Sequence, residues 1–215
     1  MGKKFIMSYS CGKDSTLALY RMIKEGNIPV GLLVTIDKDR GQSWFHGVPR
    51  HILQQVSKSL NIPLVPVECE GDQYETIFEE VLKNQKALGA TACVFGDIDI
   101  EHHRTWCTDR CVAAEMEAIF PLWQEDREKL TYEFIDSGFK TVLKNVKLEF
   151  LGEEFLGKIL TREIVKKIKE TGADPCGENG EYHTFVFDGP IYNEPVAFEI
   201  QQNTLTDSYG YLNIK

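Results

Sequence analysis

The sequence predicts an α/β chain in which helices cover both faces of a parallel sheet and a smaller α+β unit follows. Three observations carry that expectation. Through the first half, short apolar runs alternate with amphipathic helical stretches. The small and hydroxyl residues Ser10-Cys11-Gly12-Lys13-Asp14-Ser15 join the first apolar run directly to the first helix. Past about Gln124 the order of elements changes. The apolar run Phe5–Ser8 is the opening strand, and the amphipathic stretch Thr16–Glu25 is the helix that leaves it. Two further pairs follow the same grammar: strand Gly31–Ile36 with helix Val48–Leu60, and strand Leu64–Val67 with helix Tyr74–Leu88. A fourth strand, Ala92–Phe95, leads into a helix from about His103 to Ala118 and an apolar segment ending at Pro121-Leu122-Trp123. A boundary is expected there, dividing residues 1–123 from residues 124–215. The second part reads as a helix near Arg127–Ser137, a strand-like run Thr141–Phe150 and a helix Arg162–Glu170 that turns Ile164, Val165 and Ile168 inward. A Gly/Asn/Glu-rich stretch and alternating strands complete it.

Composition narrows the class. The 215 residues suffice for one large domain or two small ones, and a hydrophobic content of 42% is that of a globular protein with a real core. No apolar run approaches the roughly 20 residues that span a bilayer, and no apolar N-terminal region with a basic flank appears, so a cytoplasmic location is expected. Cys11, Cys69, Cys93, Cys107, Cys111 and Cys176 include no C-x-x-C pair, which suits reduced thiols. The formal charge of -9 repels polyanions and argues against a large duplex-binding surface.

The Ser10 turn reads as a phosphate site. A strand that ends in small residues and opens a helix aims free N–H groups and a positive helix end at one spot. Ser8 closes the strand, Gly12 allows close backbone approach, Ser10 and Ser15 offer hydroxyls, Lys13 adds charge, and Asp14 can hold magnesium or cap the helix. No Walker A string and no G-x-G-x-x-G fingerprint occurs, which sets aside kinase and dehydrogenase readings. In doubly wound sheets ligands lie outside the carboxyl ends of the strands. That places Asp37, after the second strand, and Gly96-Asp97-Ile98, after the fourth, beside the Ser10 turn, with Asp37 on a ribose or adenine edge and Gly96 against the nucleotide.

A second cluster, Cys176-Gly177-Glu178-Asn179-Gly180-Glu181-Tyr182-His183-Thr184, packs two carboxylates, a histidine, a tyrosine and a hydroxyl into nine residues. Such a group can orient a carboxylate, bind magnesium or take a proton from an amine. Arg104 can clamp a phosphate or lie on the surface. His102, His103, Cys107 and Cys111 lack paired zinc-site spacing and read as packing.

The Ser10 turn resembles the SGG-x-DS loop of the N-type ATP pyrophosphatases, with Cys11 where those proteins usually carry glycine. The longer string Asp174–Thr184, together with Asp188-Gly189-Pro190, resembles the C-terminal signature of the diphthine-ammonia ligase family. His46-Gly47, Gly96-Asp97-Ile98, Pro121-Leu122-Trp123, Gly138-Phe139-Lys140 and Phe155-Leu156-Gly157 fit that family in the same order. The resemblance implies a Rossmann-like HUP domain for ATP over residues 1–123 and a substrate-binding α+β domain over residues 124–215. It implies that ATP activates the carboxylate of diphthine, a modified histidine on an elongation factor, and that ammonia displaces AMP.

On that reading ATP is held by Ser8, Ser10, Cys11, Gly12, Lys13, Asp14, Ser15, Asp37, Gly96, Asp97 and Ile98, with Mg2+ on Asp14 and Asp97. Lys13 and Asp14 serve the nucleotide half of the chemistry, while Glu178, Glu181 and His183 are the candidate bases for ammonium. His46, Arg104, Gly180, Tyr182 and Thr184, with Glu178, contact the acceptor. No glutaminase machinery is present, so free ammonium is the expected nitrogen source, and a homodimer is the assembly considered. Two alternatives stand beside this: an adenylating amidase or thiolase acting on another small carboxylate or on tRNA, and an ATP-binding HUP module without turnover.

Overall fold

A computed structural model of the chain describes residues 2–69 and 73–215. Its first sheet collects β1 (Lys4–Ser8), β2 (Ile28–Asp37), the short β3 (Gln42–Ser43), β4 (Leu64–Cys69), β5 (Ala92–Val94) and β6 (Glu117–Ile119). Apart from β3, which runs antiparallel to β2, every pairing is parallel, in the order β4-β2-β1-β5-β6. The chain builds outward from β1 in one direction and then in the other. Crevices form at such a reversal, here at the carboxyl ends of β1 and β5.

Side-chain alternation along β1 gives the sheet two buried faces. Phe5 and Met7 join the cluster with Leu17, Leu19, Ile52 and Val56, from α1 (Lys13–Lys24) and α2 (Arg50–Leu60). Ile6 points the other way, to Phe78, Leu82, Cys107 and Cys111, from α3 (Tyr74–Ala87) and α4 (Glu101–Ala113). Helices therefore cover both faces, as the alternating sequence predicts.

The second sheet is antiparallel, in the order β8-β7-β10-β9, from β7 (Lys140–Lys147), β8 (Tyr182–Asp188), β9 (Thr204–Leu205) and β10 (Tyr209–Tyr211). Two helices accompany it, α5 (Arg127–Asp136) and α6 (Arg162–Glu170). Leu130 and Phe134 of α5, Val142, Leu143 and Val146 of β7, and Phe185 of β8 belong to the same apolar cluster as Phe5 and Met7. The two sheets thus share a core across the expected boundary.

Several elements differ from the sequence reading. Helix α1 starts at Lys13, so Lys13, Asp14 and Ser15 are its first turn. Helix α4 stops at Ala113 because Glu115 adopts a left-handed backbone (φ 51) while Met116 N–H returns to the Cys111 carbonyl. The freed segment Glu117–Ile119 becomes β6 by pairing with β5. The run after Thr141 ends as a strand at Lys147, and beyond β8 only β9 and β10 are extended. No described helix is long and apolar enough to cross a membrane.

Candidate active site

At the sheet's reversal, Ser10 and Ser15 close the turn between β1 and α1 through a hydroxyl–hydroxyl hydrogen bond of 3.1 Å. The Gly12 N–H donates to Ser10 Oγ at 3.2 Å, and the Lys13 N–H donates to Thr184 Oγ1 at 3.0 Å. Those of Asp14 and Ser15 lie in the first helical turn, where no carbonyl stands one turn back. The Lys13 ammonium, on a residue only 3% exposed, donates to both Asp14 carboxylate oxygens at 2.8 and 2.7 Å. Burial alone would push it down, but Asp14 reverses this and holds it well above the ordinary lysine range, so Lys13 stays charged.

Strand β8 from the second sheet closes the other side. Thr184 accepts the Lys13 N–H through its hydroxyl and, through its carbonyl, accepts from His46 Nδ1–H at 2.8 Å. Two residues on, the Val186 N–H donates to the Cys11 carbonyl at 2.8 Å. The result is a cleft of about 340 Å3 whose walls include Ser10, Lys13, Asp14, Ser15, His46, Gly96, Asp97, Glu178, Tyr182, His183 and Thr184. Both clusters singled out in the sequence therefore open into one space.

Charge is unbalanced within it. Burial, then the Asp14 and Asp97 carboxylates, push Glu178 up to about 7, with Lys13 acting the other way between them. Asp97 is likewise raised, first by burial and also by Asp14, against the pull of His103. Burial lowers His183 to about 4 and His46 to about 3, so both imidazoles are neutral near pH 7. Three carboxyl groups with one buried ammonium leave room for cations. Among the described residues no group of three histidine, cysteine or carboxylate side chains is arranged to hold a metal on its own. Asp14 and Asp97 both line the cleft and are carboxylate oxygen donors of the kind magnesium takes.

Other sequence candidates lie elsewhere. Asp37 ends β2, one strand away from the reversal, and its Oδ1 accepts the Asp39 and Arg40 N–H groups at 3.0 Å, which makes it a turn residue. Ile98 is fully buried in the core, and its carbonyl accepts the Gln124 N–H. Arg104 stacks on Trp123, 4.7 Å from the ring centroid, and does not line the cleft. Glu181 turns to the back of its loop, where its carboxylate accepts the Asp174 and Asn179 N–H groups at 3.3 and 3.1 Å; Gly180 faces away with it. Gly96 lines the cleft, and a Cβ there would meet Ser15 N at 2.7 Å, so its bareness lets the start of α1 pack against it. A Cβ on Gly12 would meet His46 Cε1 at 2.6 Å.

Sequence reading missed three contributors. Trp44 and Phe45, on the loop before α2, wall a slot of about 120 Å3 that adjoins the cleft beside Ser8, Ser10 and the β2 backbone at Leu33–Thr35. Arg127 of α5 joins Asp99 at 2.6 Å, Asp174, and Asn179 at 3.2 Å, and so ties the Asp97 loop to the Glu178 loop. Its signal, an arginine at a helix start beside Asp126, is too common to read.

Comparison with known proteins decides the family. The model of the diphthamide synthase N-terminal domain matches residues 3–118, and that of the diphthamide synthase C-terminal domain matches residues 126–215. The chain belongs to the diphthamide synthase family. Family members named diphthine–ammonia ligase resemble it along most of this chain: the Mus musculus protein is 26% identical, covering 88% of this chain and 80% of its own. The Schizosaccharomyces pombe protein is 30% identical over 75% of this chain and 27% of its own. A solved structure titled as a predicted tRNA methyltransferase subunit from Methanocaldococcus jannaschii aligns at TM-score 0.47 and 16% identity, covering 88% of this chain and 98% of that one. Within this family member the N-terminal match supplies the Ser10 turn and the C-terminal match supplies β8, so the cleft is built from both.

Proposed function

We propose that the chain is an ATP-dependent, AMP-forming ligase that converts the carboxylate of diphthine to its amide with ammonia. The observation that carries this reading is the meeting of the α1 N-terminus and the Glu178–Thr184 segment in one cleft, in a chain matched by both diphthamide synthase domains. Residues 1–123 act as the ATP-binding unit and residues 124–215 present the acceptor, which is carried on an elongation factor in the cytoplasm.

A carboxylate does not exchange oxygen for nitrogen unaided. Its oxygen attacks the α-phosphorus of ATP, the bond to the bridging oxygen breaks, and pyrophosphate leaves. Charge builds on that leaving group, where the Asp14 and Ser15 N–H groups of the first turn, Ser10 and the ammonium of Lys13 stabilise it. Asp14 and Asp97 would hold Mg2+, which neutralises phosphate charge. Ammonia then attacks the acyl carbon and AMP departs. Ammonium must first lose a proton, and Glu178, poised near neutrality, binds the cation and takes that proton. Neutral His183, on the same wall, offers a lone pair to the incoming nitrogen. The slot beside Trp44 and Phe45 takes the adenine ring.

Incubation with ATP, magnesium, ammonium and a diphthine-bearing elongation factor is expected to yield AMP and pyrophosphate together with amidated acceptor. Release of ADP instead would remove the assignment.

A further inference from the structure

A second cavity, of about 580 Å3, lies beside the nucleotide cleft and shares Phe45 and His183 with it. Lys144 of β7 lines it. That residue is only 2% exposed, yet among the described residues its ammonium has no carboxylate partner and no hydrogen bond. A methyl added at Gly47 would sit 3.6 Å from Lys144 Nζ, which fixes the ammonium against the loop that carries His46. The neighbouring Asn145 is also incomplete. Its amide nitrogen donates to the Phe45 carbonyl at 2.9 Å, while its buried Oδ1 has no partner.

A buried ammonium without a counter-charge is costly to maintain. With only burial acting on it, the Lys144 pKa falls to about 8. Lys13 answers its own burial with Asp14; Lys144 has no such answer within the chain. An anion entering the cavity would complete it. The triphosphate belongs to the α1 N-terminus across the shared wall, so the anion left in the reaction is the carboxylate of the acceptor. Trp44, Tyr209 and Tyr211 surround the same space with aromatic surface that suits the acceptor's carbon framework.

We infer that this cavity receives the acceptor, with Lys144 as the substrate-binding residue that holds its carboxylate at the edge shared with the nucleotide cleft. The inference rests on the ligase reading above. Phe45, 69% exposed at that edge, stands where the acceptor passes from one space to the other.

The test is AMP formation by the whole protein with ATP, ammonium and a diphthine-bearing elongation factor, compared among wild type, Lys144→Met and Lys144→Arg. Binding of a non-hydrolysable ATP analogue is measured alongside. Losing one charge-assisted contact should raise the acceptor KM of Lys144→Met by about 10- to 100-fold, leave analogue affinity unchanged, and be largely recovered in Lys144→Arg. An unchanged acceptor KM in Lys144→Met overturns the inference while the ligase reading stands. Weakened analogue binding also overturns it, by moving Lys144 to the nucleotide. A wild type that makes no AMP removes the ligase reading and this inference with it.

Lys144→Arg gives a second readout that does not depend on how well Lys144→Met folds. The acceptor KM of wild type should climb as pH rises through about 8, and that climb should vanish with a guanidinium, which does not titrate there. The other titratable groups lining the cavity, Arg40, His183, Tyr209 and Tyr211, and His46, which Lys144 influences from beside it, are common to both proteins. A climb that persists in Lys144→Arg overturns the inference.

Discussion

Glu178 and Glu181 differ by three positions and by nearly everything else. Gly177 (φ 70) and Gly180 (φ 85) turn the loop between them, so one carboxylate enters the cleft and the other caps the loop from behind. No spacing rule reveals which is which, because the answer depends on two left-handed residues. Glu178, raised to about 7 chiefly by burial, is protonated below that pH and a base above it. At a fixed concentration of ammonium, kcat/KM should therefore rise with pH and level off above about 7. Glu178→Gln should abolish that levelling and lower the rate by about 10²- to 10⁴-fold, while Glu181→Gln, if folded, keeps it. Rate profiles of the two variants that cannot be told apart would place the base elsewhere. Cys11 teaches a related lesson. Its backbone is left-handed (φ 62), which explains why a related loop carries glycine there, and its thiol is buried and pushed up by burial. It is a core residue and not a reactive one.

At the scale of elements, the turn from β1 into α1 was legible because its signal is local: an apolar strand, small residues, then a helix. The reversal of strand order was legible as a rule, but the rule does not say which strand ends become neighbours. Asp37 looked equivalent to Asp97 for that reason; β2 lies one place further out, and its carboxylate stays in its own turn. Lys144 did carry a signal, a lysine inside the strand-forming run Thr141–Val146, in which every residue is buried. Gly96 shows how tightly two elements must meet for the site to exist. A side-chain carbon there would collide with backbone atoms of α1 at 2.7 and 2.9 Å, and backbone cannot swing aside. Gly96→Ala should cost about 1–3 kcal/mol in urea denaturation and weaken ATP binding by shifting the first turn of α1. If the unfolding midpoint and the nucleotide affinity both stay put, the helix start does not depend on that contact.

The whole molecule is organised around a seam, with β8 of the second sheet laid against the phosphate turn of the first. Thr184 reaches both Lys13 and His46, Val186 reaches Cys11, and the Tyr192 and Tyr9 hydroxyls meet at 3.0 Å. Because both sheets also share one apolar cluster, the site is completed only when the two halves are packed. The seam holds two neutral imidazoles, His46 and His183, with ring centroids 4.8 Å apart. Their folded pKa values, about 3 and about 4, lie below the 6.5 of a free histidine, chiefly through burial. The unfolded chain therefore binds more protons between those limits, and stability must fall as pH drops below about 6.5 toward 4. Each histidine contributes at most about 1.4 kcal/mol per pH unit in that window. Melting temperatures recorded from pH 8 to pH 5 should be level at the upper end and decline below about 6.5. Glu178, raised to about 7, takes up a proton in the folded chain over the same range and offsets one imidazole, so His46→Gln, which removes one of the two protonations, should lose most of that decline. A decline of the same steepness in the variant would mean that acid sensitivity arises away from the seam, and that β8 is not held against the phosphate turn by neutral imidazole.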